Sequence, residues 1–457
     1  MLESIGQLII KTSDFIWGAP VLILLLGGGF YFLIYSRLVP LRYFGHAIRI
    51  LAGKYKNDSS TGQIKPYQAL ATALAGTIGM GNVSGVAVAI TMGGPGAIFW
   101  MWVTALLGVS TEFFSNTLSV MFRGKDSNGE IQGGPMYYIT EGLGKNWKPM
   151  AIFFSVVGMI GVSPLFQANQ LTQMIAHVLL TPNQVETSFI SDLLTGIIIS
   201  VIVAVVVIGG IKRIGKVTGS MVPLMVGIYT LTVLYIIFSN SSKIIPAFQT
   251  IFSDAFSGDA VLGGSLGSII VIGVRRAAFS NEAGLGTTPM AHGASKTSEP
   301  VRQGLVAMLG PVIDTIVVCT MTALAIIITN MWIYSNADGI TLTAQAFDSA
   351  IPVYGKYILA VCVIFFSMST MFAFPYYGVK CLGFVAGAKY GSVYNYIFVI
   401  TIIIGAVSNL RVIIGFNDIA FALMAIPTVI STVLLSPHVR RASVVYFTKL
   451  KNQRKLK

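Results

Sequence analysis

Gly76-Thr77-Ile78-Gly79-Met80-Gly81-Asn82 sits in the middle of one apolar stretch of this chain, and Phe279-Ser280-Asn281-Glu282-Ala283-Gly284-Leu285-Gly286 in the middle of another. Each glycine costs a helix roughly 1 kcal/mol relative to alanine, so both runs read as interruptions of a helix. The flanking residues are nevertheless apolar over about the 20 residues that a bilayer-spanning helix needs. Two spans broken at mid-membrane are the feature from which the fold is read.

Working outward, 54% of the 457 residues are hydrophobic, 10% are charged, and the mean hydropathy is +0.77. That leaves too little polar surface to cover a soluble globule, so the solvent is a bilayer. The sequence predicts an all-α polytopic membrane protein with eleven transmembrane helices. An amino-terminal helix at 15–38 precedes ten spans near 67–91, 97–122, 149–180, 191–211, 217–238, 265–291, 304–329, 355–384, 392–409 and 415–436. The first apolar run, Phe15 to Tyr35, is long enough to span and is followed by basic residues instead of a small-residue cleavage site, so it is expected to stay. Between it and the next span, Leu41 to Tyr55 mixes apolar and basic residues at helical spacing, which fits a helix along the membrane surface or a solvated linker.

Charge sets the expected orientation. Placing the amino terminus outside puts 24 of the 30 Lys and Arg on the inner side, seven of them in a basic cytoplasmic tail, 437–457. Lys11, Lys243, Lys356 and Arg411 then face outward, and Arg275 and Arg276 lie within a span. This is the positive-inside asymmetry, so the net charge of +13 reports topology and no nucleic-acid partner is expected. The predicted location is the inner (plasma) membrane, amino terminus outside and carboxyl terminus in the cytoplasm. Cys319, Cys362 and Cys381 sit in apolar segments without CxxC spacing, and the four histidines are scattered, so neither disulfide nor zinc chemistry is expected.

The ten later spans divide into two fives, 66–238 and 264–436, each opening with an interrupted span. An odd number of spans per unit makes the units inverted, and paired interruptions in an inverted repeat point to a transporter binding site. Unwound backbone survives in hydrocarbon only where protein, water or a ligand satisfies it. Amide groups at half-helix starts attract a carboxylate, and freed carbonyls attract an ammonium group or a sodium ion. Taken alone, Gly76 to Gly85 also fits close helix packing.

The eighth of the ten spans places Phe366, Ser369 and Thr370 on one face. Two hydroxyls and a carbonyl from that face, with the carbonyls of Ala75 and Ile78, would give a five-oxygen cage for sodium. Back-bonding of Ser369 and Thr370 to their own helix is the competing reading. Gln167 and Asn169 sit near the middle of the third span, as path-lining groups or as glue between helices. Glu112, Glu282, Asp314, Arg275 and Arg276 are expected in ion pairs or gates, with a proton relay at Asp314 or Glu112 as the alternative.

Several motifs together resemble the alanine or glycine:cation symporter family over nearly the whole chain. They are Gly76 to Gly85 with Gly93-Gly94-Pro95-Gly96, Gly133-Gly134-Pro135-Met136-Tyr137-Tyr138, Phe279 to Gly286 with Pro289, Ala291 and His292, and the run from Val301 to Ala325. The resemblance implies a LeuT-type fold with one added amino-terminal helix. It also implies sodium-driven uptake of a small neutral amino acid such as alanine or glycine, no organic cofactor and no enzymatic activity. By motif matching, the implied substrate shell is Thr77, Gly79, Gly81, Asn82, Gln167, Phe279, Ser280, Asn281, Thr370 and Phe374. Sodium is implied at Ala75, Ile78, Phe366, Ser369 and Thr370, and a monomer fits.

The chain departs from the family where relatives commonly carry Thr-Thr and then Trp: here stand Ser369, Thr370 and Phe374, followed by Pro375. Val162-Ser163-Pro164-Leu165-Phe166 also departs from the usual Gly-Asn pattern, and Glu112 and Ser115 replace a frequent Lys and Glu. Phe in place of Trp enlarges the pocket, which keeps a glutamine-preferring or proton-coupled carrier as the alternative. A channel, from a different class, would need a continuous polar pore.

Overall fold

Helix breaks organise the molecule, and they fall where glycine, proline or a polar cluster removes backbone hydrogen bonds. The computed structural model describes residues 2–54, 62–183, 186–208, 210–257 and 265–455. Helix α1 (Leu2–Ile16) is bent by 49° from α2 (Ala19–Tyr35), because Gly18 is extended and Pro20 starts a new helix. The expected first span at 15–38 is therefore shorter, and α1 packs separately against the last helix. Residues 44–51 form α3 (Phe44–Leu51), which buries His46, Ala47 and Ile50 while Ile48 and Arg49 stay exposed. A one-sided helix thus replaces the linker reading there; Tyr55 lies outside the described residues.

The first interrupted span is α4 (Pro66–Thr77) followed by α5 (Met80–Gly93). Pro66 opens α4, where its missing N–H costs nothing, and Ile78 and Gly79 leave the helical conformation between the halves. Its most apolar window is completely buried, whereas only about a third of the corresponding windows in α10 (Phe189–Val207) and the fifth span is buried. Broken backbone is thus wrapped in protein, and the unbroken apolar helices form the lipid-facing rim. Next come α6 (Gly96–Met121), the antiparallel pair β1 (Gly124–Lys125) and β2 (Ile131–Gln132), and α7 (Pro135–Gly142). The third span is divided by Ser163 and Pro164 into α8 (Lys148–Gly161) and α9 (Leu165–Ile175).

After α10 follow α11 (Gly210–Ser239) and α12 (Ile244–Ala255). The second interrupted segment is α13 (Ser265–Asn281), a turn through Glu282, Gly284 and Gly286 at φ of 54°, 85° and 90°, and α14 (Thr287–Gly293). Left-handed backbone is the glycine conformation, so the sequence Glu-Ala-Gly-Leu-Gly stops α13 before α14 starts. Then come α15 (Pro300–Ala307), a wide-turned π-helical stretch Val312–Cys319, α16 (Thr320–Ile328), α17 (Gly339–Ala350) and α18 (Gly355–Ala386). The chain ends in α19 (Val393–Val407) and α20 (Leu410–Lys455). Nine helices, some joined across short breaks, are long and apolar enough to cross a membrane, and α1 with α2 makes a tenth among the described residues. The stretch at 265–291 is divided between α13 and α14, each short. Beyond Pro437 the basic tail continues α20 as helix to Lys455.

Candidate functional site

Where α4 stops and α5 starts, the chain borders a cavity of about 10 Å³, room for one water molecule. Gly76, Thr77, Gly79, Met80 and Gly81 line it from the break, Glu282 and Phe279 from the second break, and Phe374 from α18. Gly161, Ser163 and Gln167 close it from the third span, with Asn417 and Phe421 from α20. The first amides of a helix have no intrahelical acceptor. Asn82 Oδ1 accepts the Gly79 N–H at 3.0 Å, and Met80 and Gly81, the first two residues of α5, line the cavity. Gln167 Oε1 is buried without a hydrogen-bond partner, so one unspent acceptor borders the space. A side chain at Gly81 would meet Phe279 O at 3.0 Å and the Phe279 ring at 3.1 Å.

Six of the ten substrate positions read from sequence line this cavity: Thr77, Gly79, Gly81, Gln167, Phe279 and Phe374. The other four hold its walls. Asn82 Nδ2 donates to Ser280 Oγ at 3.1 Å and to the Asp314 carbonyl at 3.0 Å. Ser280 Oγ bonds with Thr315 Oγ1 at 3.0 Å, and Asn281 Nδ2 donates to the same hydroxyl at 3.1 Å. This brace ties both breaks to the π-helical stretch, where a widened turn brings the Asp314 carbonyl within reach of Asn82.

Thr370 sits beside α4. Its Oγ1 lies 3.1 Å from the Ala75 carbonyl, 3.3 Å from that of Gly76 and 3.2 Å from that of Phe366, three acceptors for its single O–H, while Ser369 Oγ donates to Phe366 O at 3.0 Å. Ser369 is thus bonded back to its own helix, whereas Thr370 also crosses to the other wall. Oxygens about 3.1–3.3 Å apart match the spacing around a hard cation held at about 2.4 Å. Gly79 packs so closely on Thr370 Oγ1 that a Cβ there would overlap it. Ile78, with ψ of 88°, points its peptide away from the helical path, and its N–H bonds to Leu74 O at 2.7 Å.

The ion-pair expectation holds for only part of the ionisable set. Arg276 Nη2 lies 2.5 Å from both Asp418 oxygens, and Arg275 Nη1 lies 3.0 Å from Asp14 Oδ1 and 3.8 Å from Asp418 Oδ2. Glu112, Glu282 and Asp314 instead have no cationic partner among the described residues. Glu112 Oε2 accepts from Asn116 Nδ2 at 2.7 Å and from Thr288 Oγ1, and Glu282 Oε2 accepts from Thr287 Oγ1. Hydroxyl and amide donors take the place of cations because no Lys or Arg side chain reaches them. Asn169 donates to Gly405 O at 3.2 Å and Ser408 O at 2.7 Å, which makes it glue between helices. The sequence reading missed Asp418, whose signal was an acid inside the apolar run of the last span, and it missed Asn417 and Phe421 beside it.

Both approaches to the cavity are closed. At one end Arg276 pairs with Asp418 and stacks over Phe279, whose ring is 4.7 Å from Phe166 and 5.5 Å from Phe421. Outside this plug opens a cavity of about 580 Å³ bordered by Asp14, Arg275, Arg411 and Asp418. At the opposite end Lys380 Nζ donates to Met290 O at 2.8 Å, and Arg123 donates to the carbonyls of Gly293 at 2.8 Å, Thr297 at 3.1 Å and Ser295. Burial lowers the Arg123 pKa to about 10, which keeps the guanidinium charged at neutral pH. The three cysteines are free and buried, and no metal-binding group of His, Cys, Asp and Glu occurs among the described residues.

An enclosed site between two broken helices, with a cation-sized oxygen cluster at its side, invites comparison with known transporters. The chain is 39% identical to the sodium/alanine symporter AgcS of Methanococcus maripaludis, covering 94% of each. It is 32% identical to the probable sodium/glutamine symporter GlnT of Bacillus subtilis, covering 99% of this chain and 91% of that one. Among solved structures it is similar to MhsT in complex with L-phenylalanine, with a TM-score of 0.58 at 14% identity over 82% of this chain and 90% of that chain. That likeness carries the fold, which is of the LeuT type. The family model for sodium:alanine symporters matches residues 2–457, and on that match the chain belongs to the sodium:alanine symporter family.

Proposed function

We propose that the chain carries a small neutral amino acid, alanine or glycine, into the cell together with sodium, by alternating access at the cavity between the two breaks. That it is a membrane symporter and not an enzyme follows from the family. The observation that carries the finer reading is the join of Thr370 Oγ1 to the Ala75 and Gly76 carbonyls, directly beside the cavity. In this account sodium displaces those hydrogen bonds and takes oxygens from Ala75, Ile78, Phe366, Ser369 and Thr370. The substrate carboxylate takes the free amides at Met80 and Gly81, and its ammonium group takes Gln167 Oε1 and Thr77 Oγ1. Asn82, Ser280 and Asn281 shape the walls, with Phe279 and Phe374 against the side chain.

The architecture we assign is eleven spans: the added amino-terminal helix within 15–38, then inverted units 66–238 and 264–436 whose first spans carry the breaks 78–79 and 282–286, then the basic segment 437–457. Pairing α13 with α14 as one broken span supports that count. The positive-inside distribution supports an outer amino terminus and a cytoplasmic carboxyl terminus, which makes Arg276–Asp418 the outer gate and Arg123 with Lys380 the inner one. One chain supplies every residue of this site, so a monomer suffices for the proposed cycle.

Sodium and substrate binding to one site should be mutually reinforcing. Thermal stabilisation of the purified protein by alanine, glycine and glutamine, each titrated with and without sodium, tests this. Stabilisation by alanine or glycine that strengthens with sodium supports the proposal, and sodium-independent stabilisation removes the coupling. Phe374 in place of the family's Trp and the relative GlnT favour the second reading, a glutamine-preferring carrier; glutamine as the strongest ligand would select it.

A further inference from the structure

Away from the transport path, the turn after α2 and the final turns of α20 enclose a cavity of about 330 Å³. Its rim carries Arg37, Arg42, Arg440 and Lys451, and Phe114, Val39 and Phe447 line it on the apolar side. No Asp or Glu occurs anywhere in residues 36–54 or 436–457, so the basic rim has no acidic neighbour in either segment that builds it. The walls are fixed: Tyr43 stacks on Phe447 at 3.7 Å, Arg440 stacks over Tyr35 at 4.7 Å, and Tyr31 OH bonds with Ser436 Oγ at 3.0 Å. Ser443 also lines the cavity; it is 6% exposed and its Oγ has no hydrogen-bond partner. A buried, unspent hydroxyl in a cavity that four cationic residues also line is a place for an anion.

We propose that this cavity binds the phosphate of an anionic phospholipid of the cytoplasmic leaflet, with the acyl chains along the apolar side. The leaflet assignment rests on the charge-based orientation; the site itself does not depend on the substrate reading. Basic pockets beside membrane helices on the cytoplasmic side take anionic headgroups, and the mix of cationic rim and apolar wall suits a lipid better than a soluble anion. Ser443 Oγ would donate to a phosphate oxygen, with Arg42, Arg440 and Lys451 compensating its charge. Because the segment directly after α2 and the end of α20 supply most of the lining, an occupied site would clamp the added amino-terminal helix to the end of the chain.

The test is a thermal-shift titration of the purified full-length protein in neutral detergent with phosphatidylglycerol, phosphatidylcholine or soluble glycerol phosphate. Phosphatidylglycerol should stabilise the protein saturably, and phosphatidylcholine should not. Arg42→Gln with Lys451→Gln, both exposed side chains, should raise the half-saturating phosphatidylglycerol concentration about thirtyfold, which is about 2 kcal/mol. Ser443→Ala should raise it as well, while Arg49→Gln, an exposed cation outside the cavity, should leave it unchanged. The proposal fails if the double variant titrates like the parent, if Arg49→Gln weakens binding equally, or if glycerol phosphate alone reproduces the shift.

Discussion

Replacing Thr370 with valine removes one hydroxyl and keeps the side chain's shape, which makes it the sharpest probe of the cation cluster. Thr370 Oγ1 touches three carbonyls, those of Ala75, Gly76 and Phe366, at 3.1–3.3 Å. Without sodium, the loss is a buried neutral hydrogen bond, about 1 kcal/mol. With sodium bound, the same oxygen faces a full charge, and hydrogen-bond-like interactions with charge are worth about 1.5–3 kcal/mol. The difference, about 0.5–2 kcal/mol, is what sodium affinity loses, so the sodium concentration for half-maximal uptake should rise about two- to thirtyfold at 1.4 kcal/mol per decade. Thr370→Ser keeps the oxygen and should stay close to the parent. The assay is alanine uptake into proteoliposomes across a sodium series. A Thr370→Val protein that is well folded and shows the parent's sodium dependence would refute the cage.

Other outcomes follow from the same geometry. Asp418→Asn leaves Arg276 buried beside a neutral group, a change that costs about 3–5 kcal/mol when a buried pair is broken; the melting midpoint should drop clearly, and an unchanged midpoint would remove the buried-gate reading. In Gly81→Ala the new methyl meets Phe279 O at 3.0 Å and its ring at 3.1 Å. Overpacking of about 1–3 kcal/mol should raise the substrate KM about tenfold, and normal KM would mean that Phe279 is free to move. Phe374→Trp narrows the cavity and should shift preference towards alanine over glutamine; competition assays with indifferent ratios would detach Phe374 from selectivity.

What the sequence made legible is what glycine and polarity betray locally. Gly76 to Asn82 and Ser280 to Gly286 stand out because no stable apolar helix needs those residues, and both breaks occur where the composition places them. The reach of Thr370 to Ala75 was readable from helical spacing on α18. Side-chain direction was not readable: Asn82 belongs to the motif, yet its amide turns from the cavity because Gly79 N–H, Ser280 Oγ and the Asp314 carbonyl all claim it. Pairing across the chain was equally hidden, since nothing near Arg276 announces Asp418. The three buried acids were expected in ion pairs or gates, and two of them accept from neutral donors instead: Glu282 from the nearby Thr287, and Glu112 from the nearby Asn116 and the sequence-distant Thr288.

Uptake of labelled alanine, glycine and glutamine by proteoliposomes containing the purified protein, with an inward sodium gradient present or absent, tests the central claim most directly. The account predicts saturable accumulation of alanine or glycine only when the gradient is present. Accumulation driven equally well without sodium, or none of the three carried by correctly inserted protein, would contradict it.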